Sequence, residues 1–424
     1  MGDDFESQMS RKGEQIESAL QAIEDTMSAS AVRTKEKLEQ FQDLVVGKYK
    51  QYHKPRKIVF FAEDARGQAK AASDRRQAVA AADRVVPVEI KATLLAEETL
   101  EHRGLRQLWR LALDGSGVRY ADIDGGYLYL TTKRNLMYSV DMATGLTRWV
   151  YNLAARPDTP PGFGDEYVVI SAGDTIKVID KLVGKAKWQF RTDIQPASRP
   201  YCASEHFLFG CWTGNVAGFR FGERFPRWQY KAGSRVFSAP LLGGEFAYSV
   251  DDDGKLVKYN TVLRLVSKEL PLGGRPVGDP ALTKDTLYVG TERFEMISVR
   301  FTTMIKTWEH GCGGRVRAGP WLFNSPAGTI LYYSAHNDGL YALTAMTGKK
   351  RWHLAGGLKP VAVSGEHVFV LKEDGTLCKI NNGTGAVVWS EPIAPFTTAV
   401  GQVGQGTIFL VSADGQVFAV ASKP

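Results

Sequence analysis

The stretch that decides the fold is Tyr138–Tyr151, YSVDMATGLTRWVY. It returns as YALTAMTGKKRWHL from Tyr341 and as KINNGTGAVVWSEP from Lys379. Each copy joins an alternating apolar strand, a turn ending in glycine, and a second strand bearing a tryptophan four residues after that glycine. Recurrence of one such unit along a chain is the mark of a repeat architecture, in which no unit buries its apolar face alone.

Working outward, Trp109, Trp149, Trp188, Trp228, Trp308, Trp352 and Trp389 mark the period, with steps of 40, 39, 40, 80, 44 and 37 residues. Lys268 stands where the double step lacks its tryptophan. Pro200, Pro240, Pro280 and Pro320 recur 40 apart, each 12 residues after a marker Trp or after Lys268. Within a unit come a first strand (APLLGG), a second (YLYLTT, FAYSVD, TLYVGT), a tight turn (DDDG, HNDG, KEDG), a third strand and the Trp strand. Four short strands in about 40 residues is the blade of a propeller. Seven units are complete between Gly117 and about Trp389. The eighth starts near Ala394 and lacks its fourth strand, while LRQLWRLAL (Leu105 to Leu113) is a fourth strand with nothing before it. The expectation is an all-β eight-bladed propeller over 105–424, closed by the 105–113 strand, which leaves no open sheet edge across the ring.

Residues 1–104 differ. They hold no Trp, and Ile16, Leu20, Ile23 and Met27 share one helical face. AKAASDRRQAVAAADRVV from Ala69 is a second helix candidate, stopped by Pro87. This region is expected to be an α-helical, coiled-coil-like extension that supplies a second contact or self-associates. Lys48, Lys50, Lys54, Arg56 and Lys57 form either a patch for phosphate or acidic lipid, or a solvated linker.

The chain of 424 residues is 44% apolar, with 43 glycines and a net charge of +7. A run of 18 apolar residues is absent, so no membrane-spanning helix is expected. The charged start, MGDDFESQMSRKGEQ, reads as cytoplasmic; an envelope or periplasmic location, or membrane association other than through a partner, follows only if an N-terminal signal has been removed. Cys202, Cys211, Cys312 and Cys378 lack C-x-x-C spacing and read as free thiols. The seven histidines show no ligand spacing, and DDDG at Asp251–Gly254 matches the hairpin turns of other units better than a calcium loop. Hence no metal and no catalytic residues are assigned, and no hydrolase, metalloprotease or P-loop signature is present. Nucleic acid is not an expected partner, because the aromatics alternate along strands instead of interleaving with clustered cations.

The Gly-x-x-x-Trp units, with Gly145, Gly184, Gly348 and Gly385 in place, resemble the repeats of the pyrroloquinoline-quinone (PQQ)-type eight-bladed propellers. That resemblance implies that the Gly makes a turn and the Trp docks against the next blade, an architectural role for the seven tryptophans. The family includes quinoprotein dehydrogenases, whose adjacent-cysteine disulfide has no counterpart here. It also includes the non-enzymatic BamB-like branch, compact rings that act as scaffolds. The resemblance therefore implies a non-catalytic protein-interaction scaffold without cofactor. The alternatives are a PQQ-dependent oxidoreductase, and an envelope polysaccharide-binding module with Trp212 and Trp321 as its candidate contacts.

One repeat position is read directly. Seven residues after each marker stand Arg156, Gln195, Arg235, Arg275, Arg315 and Lys359; Ser116 and Phe396 occupy the two remaining places. Five of those six are basic, which points to a collar at one mouth of the channel that docks an acidic segment of a protein partner. The competing role is structural, with these side chains on carbonyls of the neighbouring blade.

Overall fold

The computed structural model describes residues 105–325, 328–364, 366–401 and 406–422. The helical extension expected over 1–104 lies outside the described residues. Among them are thirty-two strands, numbered in chain order from β1 (Leu105–Ala112) to β32 (Gln416–Ser422). They form eight four-stranded antiparallel sheets, so the chain is an eight-bladed all-β propeller. Blades 1 to 7 each use four consecutive strands, spanning residues 118–152, 162–191, 201–231, 241–271, 276–311, 316–354 and 357–392. Blade 8 takes its outer strand from the other end of the described chain: β1 pairs antiparallel with β32, from Leu105 opposite Ser422 to Ala112 opposite Gln416.

The strands form because β-branched and aromatic residues alternate between glycine-bearing turns. The core is divided accordingly. Eight apolar clusters each lie between successive blades, and one of them joins Phe409, Val411 and Ala419 of blade 8 to Leu128, Leu130 and Val140 of blade 1. The ring is thus held by burial repeated eight times, with no interface left open.

The Gly-x-x-x-Trp unit acts at these interfaces. Trp109 donates its indole N–H to the carbonyl of Met142 (2.9 Å), Trp149 to Lys181 (2.8 Å), Trp308 to Ala345 (3.0 Å) and Trp352 to Asn382 (2.8 Å). Each acceptor lies in the last turn of the next blade. The same turns carry Gly145, Gly184, Gly348 and Gly385 at φ of +74°, +68°, +68° and +78°, pressed against those four indoles. A Cβ on Gly184 would lie 2.2 Å from Trp149. Glycine is therefore demanded twice, by the left-handed backbone and by the ring beneath it.

The remaining tryptophans vary the arrangement. Trp188 packs on Tyr167 and Phe221. Trp228 lies over Gly218 of its own blade and packs at a tilt against Tyr259 of the next. Trp389 is half-buried against the cluster of blades 7 and 8. In blades 4 and 5, Arg264 (φ 58°) and Met304 (φ 55°) occupy the left-handed turn position that glycine holds elsewhere. The turn of Arg264 follows the displaced Trp228, and that of Met304 follows Lys268, so neither needs room for an indole. Gly184→Ala should therefore cost about 2–4 kcal/mol through strain and overpacking. Arg264→Gly should stay within about 1 kcal/mol of wild type. Urea denaturation of the two variants checks the contrast.

Candidate functional site

The antiparallel order places two sets of loops on opposite faces of the ring. The connections between blades share one face with the hairpins between second and third strands. Arg235 lies in the connection from blade 3 to blade 4, and its carbonyl accepts the Asp252 N–H at 2.8 Å. Arg275, between blades 4 and 5, accepts the Glu292 N–H at 2.9 Å in the same way. These backbone bonds lock each connection to the hairpin of the blade that follows, so the side chains start from fixed points.

From those points both guanidinium groups converge on one carboxylate. Arg235 Nη2 and Arg275 Nε each lie 3.0 Å from Asp252, on different oxygens. Glu292 stands 3.9 Å from Arg275. Asp252 is only 10% exposed, whereas the two arginines are about half exposed. The Phe237 ring supports both guanidinium groups, at 5.2 and 5.7 Å. Trp212, from the blade 3 hairpin, packs edge-on against Phe237 at 4.6 Å and leaves half its surface to solvent. The result is an aromatic ledge carrying two oriented guanidinium groups, each of which meets Asp252 through a single nitrogen. Such a site suits carboxylates beside apolar side chains.

The neighbouring Asp251 is consumed locally. Its Oδ1 accepts N–H bonds from Asp253 and Lys255, at 3.2 and 2.9 Å, and Gly254 follows at φ +74°. This is a self-capped hairpin. Among the described residues no group of three or more His, Cys, Asp or Glu side chains is placed to hold a metal ion. The four cysteines are free thiols, and burial pushes those of Cys202 and Cys211 up to about 12, far from a reactive thiolate at neutral pH.

The five residues read from the sequence as a collar do not share one environment. Arg235 and Arg275 form the pair just described. Arg156 is exposed and acts electrostatically on Asp158 and Tyr120. Arg315 is exposed, and its carbonyl accepts the His336 N–H. Lys359 is elsewhere: it lies within β26 (Gly357–Ser364), the innermost strand of blade 7, half-buried and under the charge of Asp122. The displacement comes from counting along the tryptophans. Trp352 is followed by its proline, Pro360, after 8 residues instead of 12, and β25 (Lys350–Leu354) is separated from β26 by two residues, so seven residues past Trp352 is no longer the connection. Counted by the prolines, Lys359 precedes Pro360 as Arg199 precedes Pro200 and Asp279 precedes Pro280.

That second count leads to a group the tryptophan spacing missed. Arg199 Nη2 lies 2.7 Å from Asp122, and Arg199 Nε 3.9 Å from Asp279. Asp122, Arg199, Asp279 and Lys359 belong to blades 1, 3, 5 and 7. Contacts that skip a blade are possible only across the central channel, so alternating charges meet there. Asp279 also accepts the Ala239 N–H at 2.7 Å. Its side chain is 43% exposed to channel water yet ringed by protein, and that desolvation raises its affinity for a proton. Burial conversely lowers the hold of Lys359 on its proton, with Asp122 opposing.

An aspartate whose folded-state pKa is raised costs stability while charged, and the cost is relieved as pH falls through that pKa. Asp279→Asn keeps the acceptor for Ala239 and should unfold at an equal or higher urea concentration at pH 7. Its advantage should shrink at pH 4. A less stable Asn variant at pH 7 would show that attraction to Arg199 outweighs desolvation.

With this geometry in hand, comparisons with known proteins place the chain. The sequence model of the family described as outer membrane protein assembly factor BamB matches residues 100–222 and 305–423, more than half of the chain. The crystal structure of BamB from Moraxella catarrhalis superposes with a TM-score of 0.59 at 17% identity, covering 75% of this chain and 97% of that one. The computationally designed Ika8 protein superposes with a TM-score of 0.60 at 16% identity, covering 74% and 98%. A designed protein fits as well as a natural one, so these two likenesses speak to fold. No curated protein matches the chain.

Proposed function

The chain belongs to the family of the outer membrane protein assembly factor BamB, and on that footing we propose that it is a non-catalytic scaffold that docks an acidic segment of a protein partner on the connection face of its propeller. The observation that carries this reading is the Arg235–Asp252–Arg275 group on Phe237, with Trp212 exposed beside it. Arginine and tryptophan on a rigid support are the residues that dominate binding energy at protein interfaces. Their guanidinium groups are pre-oriented by a carboxylate that is itself nearly buried, so little side-chain entropy is lost when a partner carboxylate arrives. Arg156 and Arg315, exposed on connections of the same face, extend the positive field and favour encounter with an acidic partner.

Family membership supports an envelope location in preference to the cytoplasm. The expected second contact or self-association through residues 1–104 falls outside the described residues and is no part of the site described here.

Reversing both arginines would leave Asp252 unpaired and nearly buried, and would mix a stability effect with a binding effect. The triple variant Arg235→Gln, Asp252→Asn, Arg275→Gln removes the cations without orphaning a charge. Its melting temperature should remain within a few degrees of wild type. Its yield of cross-linked partner from envelope fractions should fall at least tenfold, and Trp212→Ala should lower it as well. Equal capture by wild type and triple variant would sink the reading.

A further inference from the structure

Blade 4 departs from the repeat at the marker tryptophan and the residue paired with it. In blades 1, 3, 5, 6 and 8 the marker tryptophan stands opposite a small residue on the third strand (Ser139, Gly218, Ser298, Ala342 and Ala419), and in blades 2 and 7 opposite Val178 and Lys379. In blade 4 the corresponding pair joins β16 (Lys255–Asn260) to β17 (Leu265–Pro271), and it is Lys258 opposite Lys268. Like charges directly opposite on neighbouring strands repel.

Both lysines reach into the place that an indole takes elsewhere. Lys268 Nζ donates to the carbonyl of Thr303 at 2.8 Å, and Lys258 Nζ to that of Thr302 at 3.0 Å, in the last turn of blade 5. Lys268 thus repeats the bond of a marker Trp to the next blade, with an ammonium in place of an indole. Lys258 also lies over the Phe246 ring at 4.2 Å. Among the described residues no carboxylate is within ion-pair distance of either ammonium. Burial, and then the charge of Lys268, weaken the hold of Lys258 on its proton.

Beside this pair the wall of the blade is bare. Every residue from Val262 to Glu269 is exposed, including Val262, Leu263, Leu265 and Val266. β17 is the outer strand of its sheet and pairs only with β16, so its other edge offers backbone donors and acceptors. The span that the family's sequence model leaves unmatched, 223–304, contains all of these residues.

We propose that the groove between blades 4 and 5 is a second docking site, distinct from the arginine pair, which takes an extended peptide segment of alternating acidic and apolar residues as an added strand along β17. A carboxylate of that segment sits between the Lys258 and Lys268 ammonium groups and relieves their repulsion. Its apolar side chains, on the face opposite the carboxylates, cover Val266, and its backbone pairs with the free edge. Charge complementarity selects this occupant: two cations side by side without a carboxylate exclude a basic segment.

The probe is a fluorescein-labelled eight-residue peptide of alternating Glu and Val, titrated by anisotropy against the full chain at low salt, up to about 1 mM. Saturable binding that weakens as salt is raised is expected. The triple variant Lys258→Ser, Lys268→Trp, Met304→Gly installs the pair found in blades 1 and 5 together with the turn glycine that seats an indole elsewhere. It should melt no lower than wild type and bind the probe at least tenfold more weakly. Should that variant not fold, Lys258→Met with Lys268→Met carries the same test. The triple variant at Arg235, Asp252 and Arg275 should bind the probe as wild type does; loss of binding there instead would move the peptide to the connection face and overturn the proposal. No binding by wild type, equal binding of an alternating Lys–Val peptide, or binding only to vesicles of anionic lipid would each overturn it too.

Discussion

The contact on which the ring depends is an indole laid on a glycine. In four of the eight interfaces a tryptophan from the outer strand of one blade covers the glycine of the next blade's last turn and donates its N–H to a carbonyl three residues before that glycine. The pairing couples a large burial of apolar area to a directional bond, and it sets the angle between blades as well as their distance. Because it acts between units, no single blade satisfies it. Closure through β1 supplies the last of these contacts, from Trp109 to the turn of Gly145, so the two ends of the propeller are held by the same device as its middle.

Blades 4 and 5 keep the geometry while giving up the residues. Trp228 shifts onto its own Gly218, Lys268 replaces the next indole, and Arg264 and Met304 fill the turns without glycine. The Lys268 ammonium preserves the directional half of the contact and gives up much of the apolar half, which leaves the outer wall exposed. The arginine pair, Phe237 and the lysine pair all fall in this span. A ring with eight redundant interfaces can surrender the packing at one of them and remain closed, and the surface released is then open to a partner.

The central channel is organised by a different rule. Its charges come from alternate blades and neutralise one another, with Arg199 reaching Asp122 on one side and approaching Asp279 on the other. They are carried on or beside the inner strands, three of them (Arg199, Asp279 and Lys359) next to the recurrent prolines, whereas the indole contacts lie toward the outer edge. The two systems are separate in space, so a change in the channel need not disturb the docking of blades.

The repeat, the blade count and the BamB-like resemblance were legible in the primary structure because they rest on local pattern. Alternation makes strands, an Asp-Gly or Thr-Gly pair makes turns, and a Trp four residues after a Gly marks the outer strand; each is decided within about 40 residues. The basic position was visible as a spacing, but spacing carries no depth. Arg235 and Arg275 share a carboxylate on one face, whereas Lys359, with the same count from its Trp, faces Asp122 because one connection is shorter. The Arg199 network could not be read at all, since its members lie about 80 residues apart and meet only when the ring closes. Lys268 was visible as an exception, yet its meaning required the strand register that sets it opposite Lys258. Composition and periodicity determined which elements form and how many. Only the closed ring decided which charges meet, because a charge feels its neighbours through space, at distances that spacing along the chain does not report.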